Sequence, residues 1–181
     1  MSARVHTKKR LARFAKARRG SAAVEFALVA IPFFLLSCGM IEVAMMGFAQ
    51  SNLNFAVAET ARQIRTGRAQ MQGITGPQLK QMLCDNINGL MVMECDDHLY
   101  LDVDRFTSFT GARNDPAPMA DGEFEPNNFQ YRPGGPSDIV VVRAYYRWKV
   151  LTPMFESIFA NVPGGQRVLI STMMFRNEPY Q

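Results

Sequence analysis

Phe26-Ala-Leu-Val-Ala-Ile-Pro-Phe-Phe-Leu-Leu-Ser-Cys-Gly-Met-Ile41 decides how the rest of the chain is read. It carries no charge, and Ala22 to Val24 extend it on one side. Past the lone Glu42, Val43 to Ala49 extend it on the other. Together these reach the roughly 20 residues a helix needs to cross the hydrocarbon layer. A cleaved secretory signal has a shorter apolar core closed by a small-residue cut site, whereas here the apolar character runs on. Leu35-Leu36-Ser37-Cys38 loosely resembles a lipoprotein processing site. That alternative leaves Met40, Ile41, Val43, Met45, Met46 and Phe48 as an unexplained greasy tail. Inside a membrane helix, Cys38 is simply a small apolar residue.

Charge on either side of this run fixes an orientation. Residues 1–20 hold eight of the 20 Lys and Arg and no acid, leaving twelve basic against sixteen acidic residues beyond them. The basic balance therefore belongs to the leader, and the remainder is mildly acidic. A basic block before an apolar run marks a cytoplasmic flank. The alternative is an arm for nucleic acid or lipid head groups, but a mildly acidic remainder gives nucleic acid no further footing.

Two residues in the segment are costly. Pro32 removes a backbone donor and is expected to kink the helix, which membrane helices tolerate better than soluble ones. Glu25 places a carboxyl at the edge of the run. At mid-bilayer an acid costs roughly 2.5–3.5 kcal/mol, so it calls for a partner unless it stays hydrated at head-group level.

The stretch Arg18-Arg19-Gly20-Ser21-Ala22-Ala23-Val24-Glu25-Phe26 resembles the processing region of type IV prepilins: a basic leader ending in Gly, then Glu five places on at the head of an apolar helix. More narrowly, Ser21 to Phe34 resembles the TadE-like proteins of the tight-adherence (Tad, Flp) pilus system. Val140-Val141-Val142-Arg143 and the ending Phe175-Arg176-Asn177-Glu178-Pro179-Tyr180 are similar to that family in a more general way. The resemblance implies a minor pilin-like (pseudopilin) subunit or assembly factor in the bacterial inner membrane, with its N-terminus cytoplasmic and its C-terminal domain periplasmic. It implies a prepilin peptidase cutting between Gly20 and Ser21. It also implies that Glu25 neutralises the new amine of Ser21, in its own or a neighbouring chain, and so sets the register of packed subunits. Implied partners are that peptidase, other pilin or pseudopilin subunits, the Tad inner-membrane assembly proteins and the lipid bilayer, with no cofactor or small-molecule substrate. Uncut, the same segment would serve as a permanent anchor for a periplasmic scaffold or binding protein.

Beyond the spanning segment, Leu53, Ala56, Val57, Ala61 and Ile64 form one stripe of helical period, with Arg62, Arg65 and Arg68 on another face and Gly67 as a stop. A helix continuous from Ala22 to Thr66 would be about 67 Å long. A second helix is expected over Pro77–Asn88, with Leu79, Met82, Leu83 and Ile87 inward. Leu99–Phe106 alternates as a strand with one buried and one wet face, Ile139–Val150 reads as a central strand, and Arg167–Phe175 as a closing one. A short helical turn is expected over Pro153–Ala160 and a turn over Asn161–Gly165. The Gly-, Pro- and Asn-rich stretch between Thr110 and Pro136 reads as a long exposed loop, a contact surface or plain disorder. The fold expected is α+β and pilin-like: a long N-terminal helix, a second helix and an antiparallel sheet of about three strands. Its parts would be a leader over 1–20, a spanning helix over 21–49 and an exported domain over 50–181.

An exported domain sits in an oxidising compartment, where Cys84 and Cys95 can close a disulfide; in reducing surroundings they would stay thiols. Cys-x10-Cys lacks the tight spacing of zinc knuckles, so no metal site is expected there. Catalysis finds little footing. His6 and His98 are the two histidines. Asp96-Asp97-His98 reads as a polar turn before a strand, because neighbours on a strand face opposite ways.

Overall fold

The computed structural model describes residues 18–88, 95, 97–115, 119–120, 123–126 and 129–180. The leader up to residue 17, His6, Asp96 and parts of the 110–136 stretch lie outside the described residues. The chain divides into two units, Met1–Ile41 and Glu42–Gln181. Helix α1 covers Arg18–Arg65. In the first unit most of its described apolar side chains are exposed: Phe26 is 72% exposed and Val29 70%, with Leu28, Phe33, Phe34 and Leu36 similarly open. A face this apolar and unpartnered does not belong in water.

The second unit is α+β. Besides its share of α1 it holds α2 (Arg68–Met71), α3 (Gly76–Asn88), β1 (Leu99–Phe106), α4 (Phe109–Arg113) and the two-residue strands β2 (Met119–Ala120) and β3 (Glu123–Phe124). Strand β4 (Ile139–Lys149), a 3-10 turn (Pro153–Phe155), α5 (Glu156–Phe159) and β5 (Gln166–Arg176) complete it. The main sheet is antiparallel in the order β1-β4-β5, so the Val- and aromatic-rich β4 is central, as its composition suggests. The expected stripe is the core face of α1: Leu53, Ala56, Val57 and Ile64 are fully buried and Ala61 nearly so. Leu79, Leu83 and Ile87 of α3 close over the same core, with Leu99, Val103, Val140, Val142 and Trp148 opposite them. Met82 packs at its margin.

The outer face of β1 is not wet, as strict alternation suggests, because a second, smaller core covers it. Tyr145, 1% exposed, stacks on Phe129 with centroids 5.2 Å apart, and Phe124 and Val168 complete the cluster. Burial pushes the Tyr145 phenol up to about 12. Tyr100 meets Phe124 edge-on at 5.2 Å, and the Arg147 guanidinium lies over both rings. The second half of the long loop supplies this cover. The Val103 N–H donates to Gln130 O at 2.9 Å, the Arg132 N–H donates to Val103 O at 2.7 Å, and Tyr131 forms a parallel bridge to Val103. Arg132 also grips Asp104 with two bonds of 2.6 Å. Half-buried Asp102 accepts from the Gln130 N–H and lies 3.7 Å from Arg143, which also pairs with Asp115. Burial raises the Asp102 carboxyl above its ordinary range despite that cation. The expected exposed loop is thus partly a structural strap, and α4 opens it.

Helix α1 ends where Gly67 takes φ +77, a left-handed conformation that glycine enters without penalty. The C-terminal tail packs on that end. The Glu178 N–H donates to Arg65 O at 2.9 Å, Arg65 pairs with Glu178 at 3.0 Å, and Asn177 Nδ2 donates to Pro133 O and Gly135 O. A Cβ on Gly67 would fall 2.2 Å from Tyr180 Cγ. Gly67→Ala therefore meets both backbone strain and a ring, and should cost about 2–3 kcal/mol. Tyr180→Ala on the same background should recover the steric part, which denaturant titration of the double variant will reveal.

Cys84, at 2% exposure, and Cys95 are joined in a disulfide with Cα atoms 5.7 Å apart. Reduction should lower stability by about 2–3 kcal/mol for a loop of this size. Melting curves with and without reductant, against the Cys84→Ala/Cys95→Ala variant, measure it.

Candidate functional site

The residues expected to carry function lie in two places. Gly20, Ser21 and Glu25 sit on consecutive turns of α1 in the first unit, and Pro32 lies further along it. Cys84 and Cys95 belong to the second unit. Gly20 is exposed within the helix, and a Cβ there would meet nothing within 4 Å. Packing among the described residues gives no reason for a glycine that costs a helix about 1 kcal/mol against alanine.

Ser21 Oγ donates to Glu25 Oε1 at 2.7 Å, across one turn. The first atoms of a chain beginning at residue 21 would thus lie within reach of the Glu25 carboxyl. Removing everything before Ser21 would also make it the helix N-terminus, where unpaired N–H groups and the helix dipole favour an acid. Pro32 has no N–H to offer Leu28 O, yet residues on both sides of it are helical. One turn on, Ser37 Oγ donates to Phe33 O at 2.8 Å.

Sequence reasoning passed over Glu42, treating it as a break in the apolar run. The structure buries it to 1% exposure, the deepest acid among the described residues. Its Oε1 accepts from the Leu151 N–H at 3.0 Å, and its Oε2 from the Thr152 N–H at 3.1 Å and Thr152 Oγ1 at 3.2 Å. One carboxyl on α1 therefore satisfies both amides of the corner after β4. Glu42, like Glu25, is an acid in an apolar stretch and needs a partner, and these donors supply it.

The arrangement supports attachment and packing. Among the described residues, no three of His, Cys, Asp and Glu gather as metal ligands.

Among the described residues one helix is long and apolar enough to cross a bilayer, and joined in sequence to an α+β unit it fits the class of single-pass membrane proteins. Residues 20–62 match the family model of TadE-like protein, which this segment of the chain resembles. The match takes in Gly20, Ser21, Glu25, Pro32 and Glu42 and ends before the sheet and the C-terminal tail. Comparison with curated proteins and with solved structures gives no match.

Proposed function

We propose that this chain is a minor pilin-like (pseudopilin) subunit or assembly factor of a Tad-type pilus, released from its basic leader between Gly20 and Ser21. The TadE-like match over residues 20–62 supports a Tad pilus-associated protein with a structural task. The observation that carries the finer reading is the head of α1. There, a glycine with no packing role precedes a serine already bonded to the carboxyl that would receive its amine. In this reading the exposed apolar turns from Val24 to Ile41 pack on other helices in the inner membrane. The domain from residue 50 onward lies in the periplasm and docks on other pilus components. The partners are a prepilin peptidase, sister subunits and inner-membrane assembly proteins.

A second reading, a permanently anchored periplasmic scaffold, draws on a different observation. Arg18 to Ser21 are helical, and a peptide bond inside a helix must unwind before a peptidase can reach it. Glycine is where that unwinding costs least.

Gly20→Leu separates the two. The added side chain enters open space, so folding and insertion should match the parent. Under the first reading, the variant keeps its leader, runs as the longer form on a denaturing gel and is lost from sheared fibres. Equal sizes for parent and variant, with equal recovery in fibres, would reject processing at this bond.

A further inference from the structure

We propose that the corner from Leu151 to Ile158 is a second membrane-contact element, seated in the head-group and outer acyl region of the lipid bilayer; this rests on the reading of α1 as a membrane anchor. Leu151 is 59% exposed, Met154 64% and Ile158 67%, an apolar cluster within eight residues. Met154 and Ile158 stand four residues apart on consecutive turns, Pro153 opens the first turn, and Phe155 packs against Phe159 at 5.7 Å. Phe159 in turn lies against the core, so the corner has a fixed inner side and an apolar outer one.

Glu42 ties this corner to the part of α1 that follows the uncharged run. Glu42 follows Ile41 directly and is the first charge after the uncharged run, and its carboxyl holds the amides of Leu151 and Thr152. Leu151 is therefore one side chain's reach from the first charge after the uncharged run. A cleft of about 350 Å³, its apolar wall made by Val43, Met46, Gly47, Phe159 and Leu169 and its polar part by Gln50 and Arg167, adjoins the corner. Gly47 leaves one wall open, with nothing within 4 Å of a Cβ there. Lys149, exposed two residues before Leu151, supplies a cation for anionic head groups, and Glu156 is the acid on the corner itself. Apolar side chains at head-group depth with a flanking lysine are the composition of an interfacial element. The two attachments together would fix how the domain stands on the bilayer, which a lone helix leaves to rotate.

The full chain in vesicles of phosphatidylcholine and phosphatidylglycerol tests this. On a Cys38→Ser background, a fluorophore is placed at Met154→Cys, with Met71→Cys (Met71 is 59% exposed) and Leu36→Cys as references. Lipids carrying a nitroxide at the head group should quench the label at 154 at least about three-fold more than the label at 71. Equal quenching at 154 and 71, with strong quenching at 36, overturns the inference and leaves the anchor standing. No quenching at 36 overturns both. A label at 154 shielded from lipid and aqueous quenchers alike, and exposed on dilution, would assign the corner to a second copy of the chain and overturn the lipid assignment.

Discussion

Glu42→Ala should destabilise the Glu42–Gln181 unit by about 2–4 kcal/mol, the largest loss expected from any single side chain outside the hydrophobic core. The carboxyl satisfies two backbone N–H groups and one hydroxyl in a nearly dry place. Each buried donor left without an acceptor costs about 1–3 kcal/mol, and Thr152 Oγ1 can turn elsewhere, which keeps the sum near the lower end. For a unit of this size the melting temperature should fall by roughly 5–15 °C. Glu42→Gln keeps one acceptor but turns an NH2 group on the other donor, so about half the loss is expected. Thermal unfolding of the full chain in detergent, followed by circular dichroism, measures both. An alanine variant as stable as the parent would mean that water serves the 151–152 amides as well as Glu42 does.

Glu25→Ala should remove the subunit from fibres while leaving it in the membrane. An unpartnered acid in hydrocarbon costs roughly 2.5–3.5 kcal/mol, so its removal favours insertion. The pairing it would make with a free amine at Ser21 is lost at the same time. A difference near 3 kcal/mol corresponds to about 100-fold in the assembly equilibrium. Glu25→Gln distinguishes the physical basis: it retains an acceptor for Ser21 Oγ and loses the charge. If pairing with an amine matters, glutamine assembles no better than alanine; if the hydroxyl contact suffices, glutamine restores assembly. Alanine-variant fibres at parental abundance would end the pairing role.

The elements legible in the sequence were those set by periodicity and chain breaks. The Leu53-to-Ile64 stripe, the inward residues of α3, the three main strands and the Gly67 stop each rest on local pattern, and local pattern does not depend on what the chain later packs against. Long-range structure was not legible. Tyr100 and Asp102 read as a solvent face because nothing nearby announces that residues 129–132 will return across them. Loop composition hid the strap, since its bonds to Val103 use backbone groups that every residue carries. Asn177 and Glu178 drew notice only as a family likeness, whereas their side chains and amides hold the end of α1 and the 133–135 turn. At the head of α1, Gly20, Ser21 and Glu25 stood out through their resemblance to prepilins, and the Ser21–Glu25 bond joins two of them.

The intact mass of the protein isolated from membranes of cells that make it naturally is the most direct test of a pilin-like subunit. A chain whose first residue is Ser21, carrying the Cys84–Cys95 bridge, is the predicted product. A chain still beginning at Met1, with its C-terminal half digested by protease from the cytoplasmic side, would contradict it.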